Sequence, residues 1–96
     1  MPFIHVEELS FDDVNLDKLA EHGVSARQVR QVLDDPFLVL PNRRNRRAPY
    51  LLLGRDHGGA CLAVPIEPTD EPEVWRPVTA WRCKESENAI LVRHGL

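Results

Sequence analysis

His22-Gly23-Val24-Ser25-Ala26-Arg27-Gln28-Val29-Arg30-Gln31-Val32-Leu33-Asp34-Asp35-Pro36 is the stretch whose reading decides the fold. Ser25 and Gln28 have capping-box spacing: the hydroxyl accepts from the Gln28 backbone N–H while the Gln28 side chain reaches back to the Ser25 backbone. Val24 and Val29 fall at the hydrophobic-staple positions on either side of that cap. Ala26, Val29, Val32 and Leu33 share one helical face, and Asp34-Asp35-Pro36 stops the helix because a residue before proline is pushed out of the α region. The pattern predicts a helix from about Ala26 to Asp34. Gly23 is placed to take the left-handed position that closes a preceding helix.

That preceding helix starts at Asp12 and Asp13, which supply an N-cap and first-turn negative charge, and Leu16, Leu19 and Ala20 have the spacing of a buried stripe. Two short helices meeting at Gly23 make an αα-hairpin. After residue 36 the periodicity changes. Phe37 to Leu40, Tyr50 to Gly54, Cys61 to Ile66 and Val74 to Arg82 are apolar or alternating runs of strand length, separated by Pro, Gly, Asn and Asp, and read as an antiparallel meander. Leu62, Val64 and Ile66 share the face expected against the helices, while Trp75, Thr79 and Trp81 alternate with Arg76, Val78, Ala80 and Arg82. Lys84 to Val92 reads as a terminal helix, and either Phe3 to Val6 or Glu8 to Phe11 as an extra strand in front. The expectation is one α+β domain over residues 1–96: an N-terminal helical hairpin packed on a four-stranded antiparallel sheet, with a short C-terminal helix.

Composition narrows the function classes. The 96 residues are 43% hydrophobic and 28% charged, as in a folded chain. A chain of this size hides only about two thirds of its unfolded surface, leaving little room to enclose a large cofactor. No apolar run approaches membrane-spanning length, and Glu7 and Glu8 stand where a signal peptide is basic, so the expected location is the cytoplasm, with no membrane partner. Cys61 and Cys83 are far apart and outside any C-x-x-C spacing, so they are expected as free thiols packed like small hydrophobes. No pair of histidines has metal-ligand spacing, and neither metal nor cofactor is expected.

The net charge of −3 is unevenly spread. Residues 1–35 carry three basic and eight acidic side chains, residues 36–66 five and one, and residues 67–96 four and six. The basic island centres on Pro41-Asn42-Arg43-Arg44-Asn45-Arg46-Arg47-Ala48-Pro49, where four guanidinium groups within five residues repel one another unless an anion joins them. Arginine forks suit phosphate, so RNA contact is the functional reading. The plain alternative is a solvated loop neutralised by the chain's own acids or by a protein partner. Tyr50 directly follows, able to exchange a proton or stack on a base, or simply to cover a strand end. Arg55 and Arg82 end two strands, and their interest lies in meeting on one sheet face; Lys84 lies just beyond. His22, in the last turn of its helix, has an ordinary role at the helix C-terminus.

Taken together, His22-Gly23-Val24-Ser25, the helix ending Val32-Leu33-Asp34-Asp35-Pro36, the basic loop followed by Tyr50-Leu51-Leu52-Leu53-Gly54-Arg55, the next hairpin, and Val78-Thr79-Ala80 before a charged helix resemble the BrnT-type toxins of bacterial type II toxin-antitoxin systems. The match covers about residues 12–90. The resemblance implies a fold related to RelE-type ribonuclease toxins and metal-independent endoribonuclease action on single-stranded or ribosome-bound mRNA that inhibits translation. It also implies a cognate antitoxin, usually of ribbon-helix-helix type, with which the toxin assembles. Carried over by position, it implies Arg46, Tyr50, Arg55 and Arg82 as catalytic, with Arg43, Arg44, Arg46, Arg47 and Lys84 contacting RNA. The last strand departs from the pattern: Trp81 stands where the family has an arginine, and tryptophan cannot stabilise phosphorane charge. Either Arg82 takes that role or activity is reduced. A catalytically inactive module that binds protein or nucleic acid is the rival reading. An antitoxin-like regulator is disfavoured, since neither helix is a basic recognition helix.

Overall fold

The computed structural model describes residues 4–42 and 47–96. A strand β1 (Glu8–Leu9) leads into α1 (Asp13–Glu21) and α2 (Ala26–Gln31), which continues as a single 3-10 turn over Val32–Asp34. Strands β2 (Leu38–Pro41), β3 (Tyr50–Arg55), β4 (Cys61–Pro68), β5 (Val74–Pro77) and β6 (Trp81–Arg82) follow, and α3 (Glu85–Arg93) ends the chain. The fold is α+β, with sheet order β1-β5-β4-β3-β2 and β6 pairing on β4.

The helix starts follow the sequence. Asp12 caps α1 and Ser25 caps α2, each in a capping box, and Gly23 has φ +68°. The buried face of α1 differs from the expected stripe: Leu19 and Asn15 point inward, one turn apart, while Leu16 and Ala20 are exposed. Asn15 is tolerated there because its amide accepts from Asp12 N (2.7 Å) and donates to Ser10 O (3.2 Å), so neither polar end is left unpaired.

Two expectations about the sheet are corrected. It has six strands among the described residues, not four, and the helix pair does not open the fold. Of the two candidates for a leading strand, Glu8–Leu9 pairs, running parallel to β5; Phe3 lies outside the described residues. The single run expected over Val74 to Arg82 is two strands. Ile66 pairs with Pro77 and Ala63 with Trp81, so two residues of β4 face three between β5 and β6. One extra residue inverts the alternation beyond it. Trp75 therefore joins the larger core with Leu19, Val29, Val32, Leu52, Leu62, Val64 and Ile66, whereas Trp81 joins a smaller one with Leu53, Ala63 and Leu91 under α3.

Cys61 and Cys83 are also not free. They form a disulfide with Cα atoms 5.2 Å apart. The sequence spacing hides this pairing, but the register that sets Leu62 against Arg82 brings their neighbours Cys61 and Cys83 opposite each other, and Cys83 N donates to Cys61 O at 2.9 Å. Among the described residues no helix is long and apolar enough to cross a membrane.

Candidate functional site

The β2–β3 connection carries the basic island. Its base is closed by Asn42 N donating to Pro49 O at 2.8 Å, immediately beyond the Pro41 and Tyr50 pair that ends the ladder. Arg43, Arg44 and Arg46 lie outside the described residues. Arg47 is exposed, and its Nε lies 3.5 Å from Glu67 Oε2 on β4. The other oxygen of Glu67 accepts from Arg76 Nη1 at 2.7 Å, and Arg76 forks onto Asp12 through Nε (2.7 Å) and Nη2 (3.1 Å). Asp12, Arg76, Glu67 and Arg47 thus form an alternating chain of charges beside the connection. The Arg76 guanidinium, helped by the Asn15 N–H, holds the Asp12 carboxyl at about 2, well below its ordinary 3.8. The Asp12 carboxylate in turn raises Arg76.

Tyr50 opens β3 at the foot of this connection. It is half-buried, packed edge-on against Trp75 with ring centroids 5.5 Å apart, and belongs to the helix-facing core. Arg55 sits at the other end of β3 and on the other face. Its guanidinium donates to Gly59 O (3.2 Å), to Asn88 Oδ1 on α3 (3.0 Å) and to Leu96 O (3.4 Å). Arg82 pairs with Leu62 on the helix-facing side of β4 and is exposed. From there its charge acts on Asp56, the residue after β3. Burial raises that carboxyl, but hydrogen bonds from Ala60 N, Gln28 and Gly58 N, together with the charge of Arg82, bring it below the ordinary value.

The expected meeting of Arg55 and Arg82 on one face therefore does not occur. Tyr50 shares a face with Arg82, but their partners on β4, Ile66 and Leu62, are four residues apart, roughly 13 Å along the strand. Lys84 is exposed and caps α3, away from Tyr50. The structure brings Tyr50 close to the base of the arginine-rich connection and leaves Arg55 and Arg82 apart from it and from each other.

Two groupings were not evident from sequence. One is the Asp12–Arg76–Glu67–Arg47 chain; its only sequence signal was Arg76 inside an otherwise apolar run beside an acidic segment. The other lies beyond β3, where His57 Nε2 meets Asp34 Oδ2 at 2.7 Å beside a cleft of about 340 Å³ lined by Asp35, Arg55, Asp56, His57 and Leu96. Both partners are exposed, and the contact fastens the β3–β4 turn to the 3-10 turn. The His22 ring is 6.4 Å from that of Trp81, as an exposed cap at the end of α1. Among the described residues no group of His, Cys, Asp or Glu has the arrangement of a metal site.

No model of a known protein family matches the chain, and no curated protein matches it in sequence.

Proposed function

We propose that this chain is the toxin-side member of a bacterial type II toxin-antitoxin pair, of BrnT type, and acts on mRNA through its arginine-rich β2–β3 connection. The observation that carries this reading is four arginines in five residues on one hairpin connection, with Tyr50 at its foot. Guanidinium forks grip phosphates, and an aromatic ring beside them offers a stacking surface for an unpaired base. Cleavage in this reading is metal-independent: the RNA 2′-OH attacks the adjacent phosphate, and arginine charge stabilises the pentacoordinate transition state. A ribbon-helix-helix antitoxin neutralises the chain in the cytoplasm.

A second reading is favoured by one observation. Tyr50, Arg55 and Arg82 lie too far apart to act on a single phosphodiester, which supports RNA binding without cleavage. One experiment separates the two. Purified protein is incubated with end-labelled single-stranded RNA, with and without ribosomes, beside a variant carrying Arg43→Ala, Arg44→Ala, Arg46→Ala and Arg47→Ala. Cleavage lost in the variant supports the ribonuclease, and binding without cleavage supports the module. RNA affinity equal in the two proteins overturns the assignment to the connection.

A further inference from the structure

We infer that the Cys61–Cys83 disulfide is a reversible redox staple: oxidation locks the terminal unit of β6 and α3 onto the sheet, and reduction by a dithiol releases that unit alone. The inference does not depend on RNA binding. It rests on how unevenly the molecule is held together.

The larger core, built by α1, α2 and the helix-facing side of the sheet, includes no residue after Ala80 among the described residues. The terminal unit is covered by the smaller cluster, in which Leu91 is the only fully buried residue that α3 supplies. β6 contributes two residues to the ladder, and α3 has nine, too few to persist without packing. Among the described residues few polar bonds tie the terminal unit to the rest of the chain: Arg55 to Asn88 Oδ1 (3.0 Å) and to Leu96 O (3.4 Å), and Cys83 N to Cys61 O (2.9 Å) beside the ladder. Against these weak attachments stands one covalent bond, placed directly between β6 and α3 and tied to the first residue of β4. It closes a sequence separation of 22 residues that includes all of β5 and β6. Both cysteines are only half-buried, so a thiolate can approach.

The chemistry balances as thiol–disulfide exchange. A thiolate of the dithiol attacks one Sγ and the Sγ–Sγ bond breaks. The second thiol of the reagent then displaces the mixed disulfide, leaving Cys61 and Cys83 as two thiols and the reagent as a cyclic disulfide. Release uncovers Leu53 and Ala63 together with the β4 edge at Leu62 and Ala63, and frees Trp81, Arg82 and Lys84.

Hydrogen exchange followed by mass spectrometry tests this on the intact chain, air-oxidised or held in dithiothreitol. The expected result is that amides in residues 81–96 exchange on the order of tenfold faster or more after reduction, while those of α1 and α2 change by less than about twofold, and that reoxidation restores the first pattern. Cys61→Ser should show the reduced pattern and ignore the reagent. The inference is overturned by exchange unchanged by reduction, by exchange raised along the whole chain, or by two alkylatable thiols in the oxidised protein. A response of Cys61→Ser to dithiothreitol would do the same.

Discussion

Arg55 and Arg82 stand on opposite faces of the sheet although Cys61, the cross-strand partner of Arg55, is next to Leu62, the partner of Arg82. The cause is the extra residue between β5 and β6. Had the run from Val74 to Arg82 stayed regular, Arg82 would share the face of Arg76 and point toward α3 with Arg55. The two side chains instead answer to different neighbours, α3 for one and Asp56 for the other. Their removal should therefore have separate costs. Arg55→Ala, which strips the hydrogen bonds to Gly59, Asn88 and Leu96, should lower stability by about 1–2 kcal/mol, whereas exposed Arg82→Ala should stay within about 0.5 kcal/mol. Urea unfolding of the two variants and their double should show additivity within about 0.5 kcal/mol; a larger coupling means that the residues share a network.

At Gly54, β3 lies close against Val32 of the 3-10 turn and against Phe37. A Cβ built there would collide with Val32 Cγ1 and lie 3.2 Å from Phe37 Cβ. Gly54→Ala should cost about 1–3 kcal/mol through overpacking. Val32→Ala opens space at the same point, so the double variant should be at least about 1 kcal/mol more stable than the sum of the single costs. Strict additivity in thermal or urea unfolding would mean the clash is relieved elsewhere.

Acid stability should depend on Asp12. Its carboxyl has an ordinary value of 3.8 and is held at about 2 by the Arg76 fork, so the folded state binds that proton less readily than the unfolded chain. The stabilisation is complete above the ordinary value and is lost as pH falls from 3.8 through about 2. Asp12→Asn keeps a good N-cap while removing the charge. Denaturant midpoints measured across that window should fall less steeply in the variant than in the parent; identical slopes would show that the Arg76 contact contributes no linkage.

Much of the fold was legible because local chemistry specified it. Ser25 with Gln28, Asp12 ahead of α1 and Gly23 at positive φ are signals contained within a few residues, and the helices obey them. Tyr50 to Gly54 and Cys61 to Ile66 formed strands, as their short apolar runs bounded in the sequence by Pro, Gly, Asn and Asp predict. What escaped the sequence depends on register between distant segments. The bulge opposite Val64 and Pro65, the disulfide between Cys61 and Cys83, and the clasp of Arg76 on Asp12 and Glu67 all follow from how β4 meets β5 and β6. The separation of Tyr50 from Arg55 was readable in principle, since residues five apart on a strand point to opposite faces. That of Arg55 from Arg82 was not, because one unpaired residue reverses the parity.

Glu67 offers a test of the arginine-rich connection that leaves its arginines intact. Its carboxylate is pinned by Arg76 at 2.7 Å and presents the remaining oxygen to Arg47 at 3.5 Å, close to where a phosphate gripped by the connection would compete for the same guanidinium. Because Arg76 holds Glu67 in place, the carboxylate cannot swing away when RNA approaches. Glu67→Gln should therefore strengthen RNA binding, by about two- to fivefold at low ionic strength, the range that one partly exposed ion pair provides. The gain should shrink as salt rises, since it is a screened interaction, and it should vanish when Arg47→Ala is added. Fluorescence anisotropy with labelled single-stranded RNA at about 50 and 200 mM salt measures all three effects. An affinity that falls in Glu67→Gln would mean that Glu67 orients Arg47 for RNA instead of competing for it, and one that is unchanged would remove Arg47 from the contact.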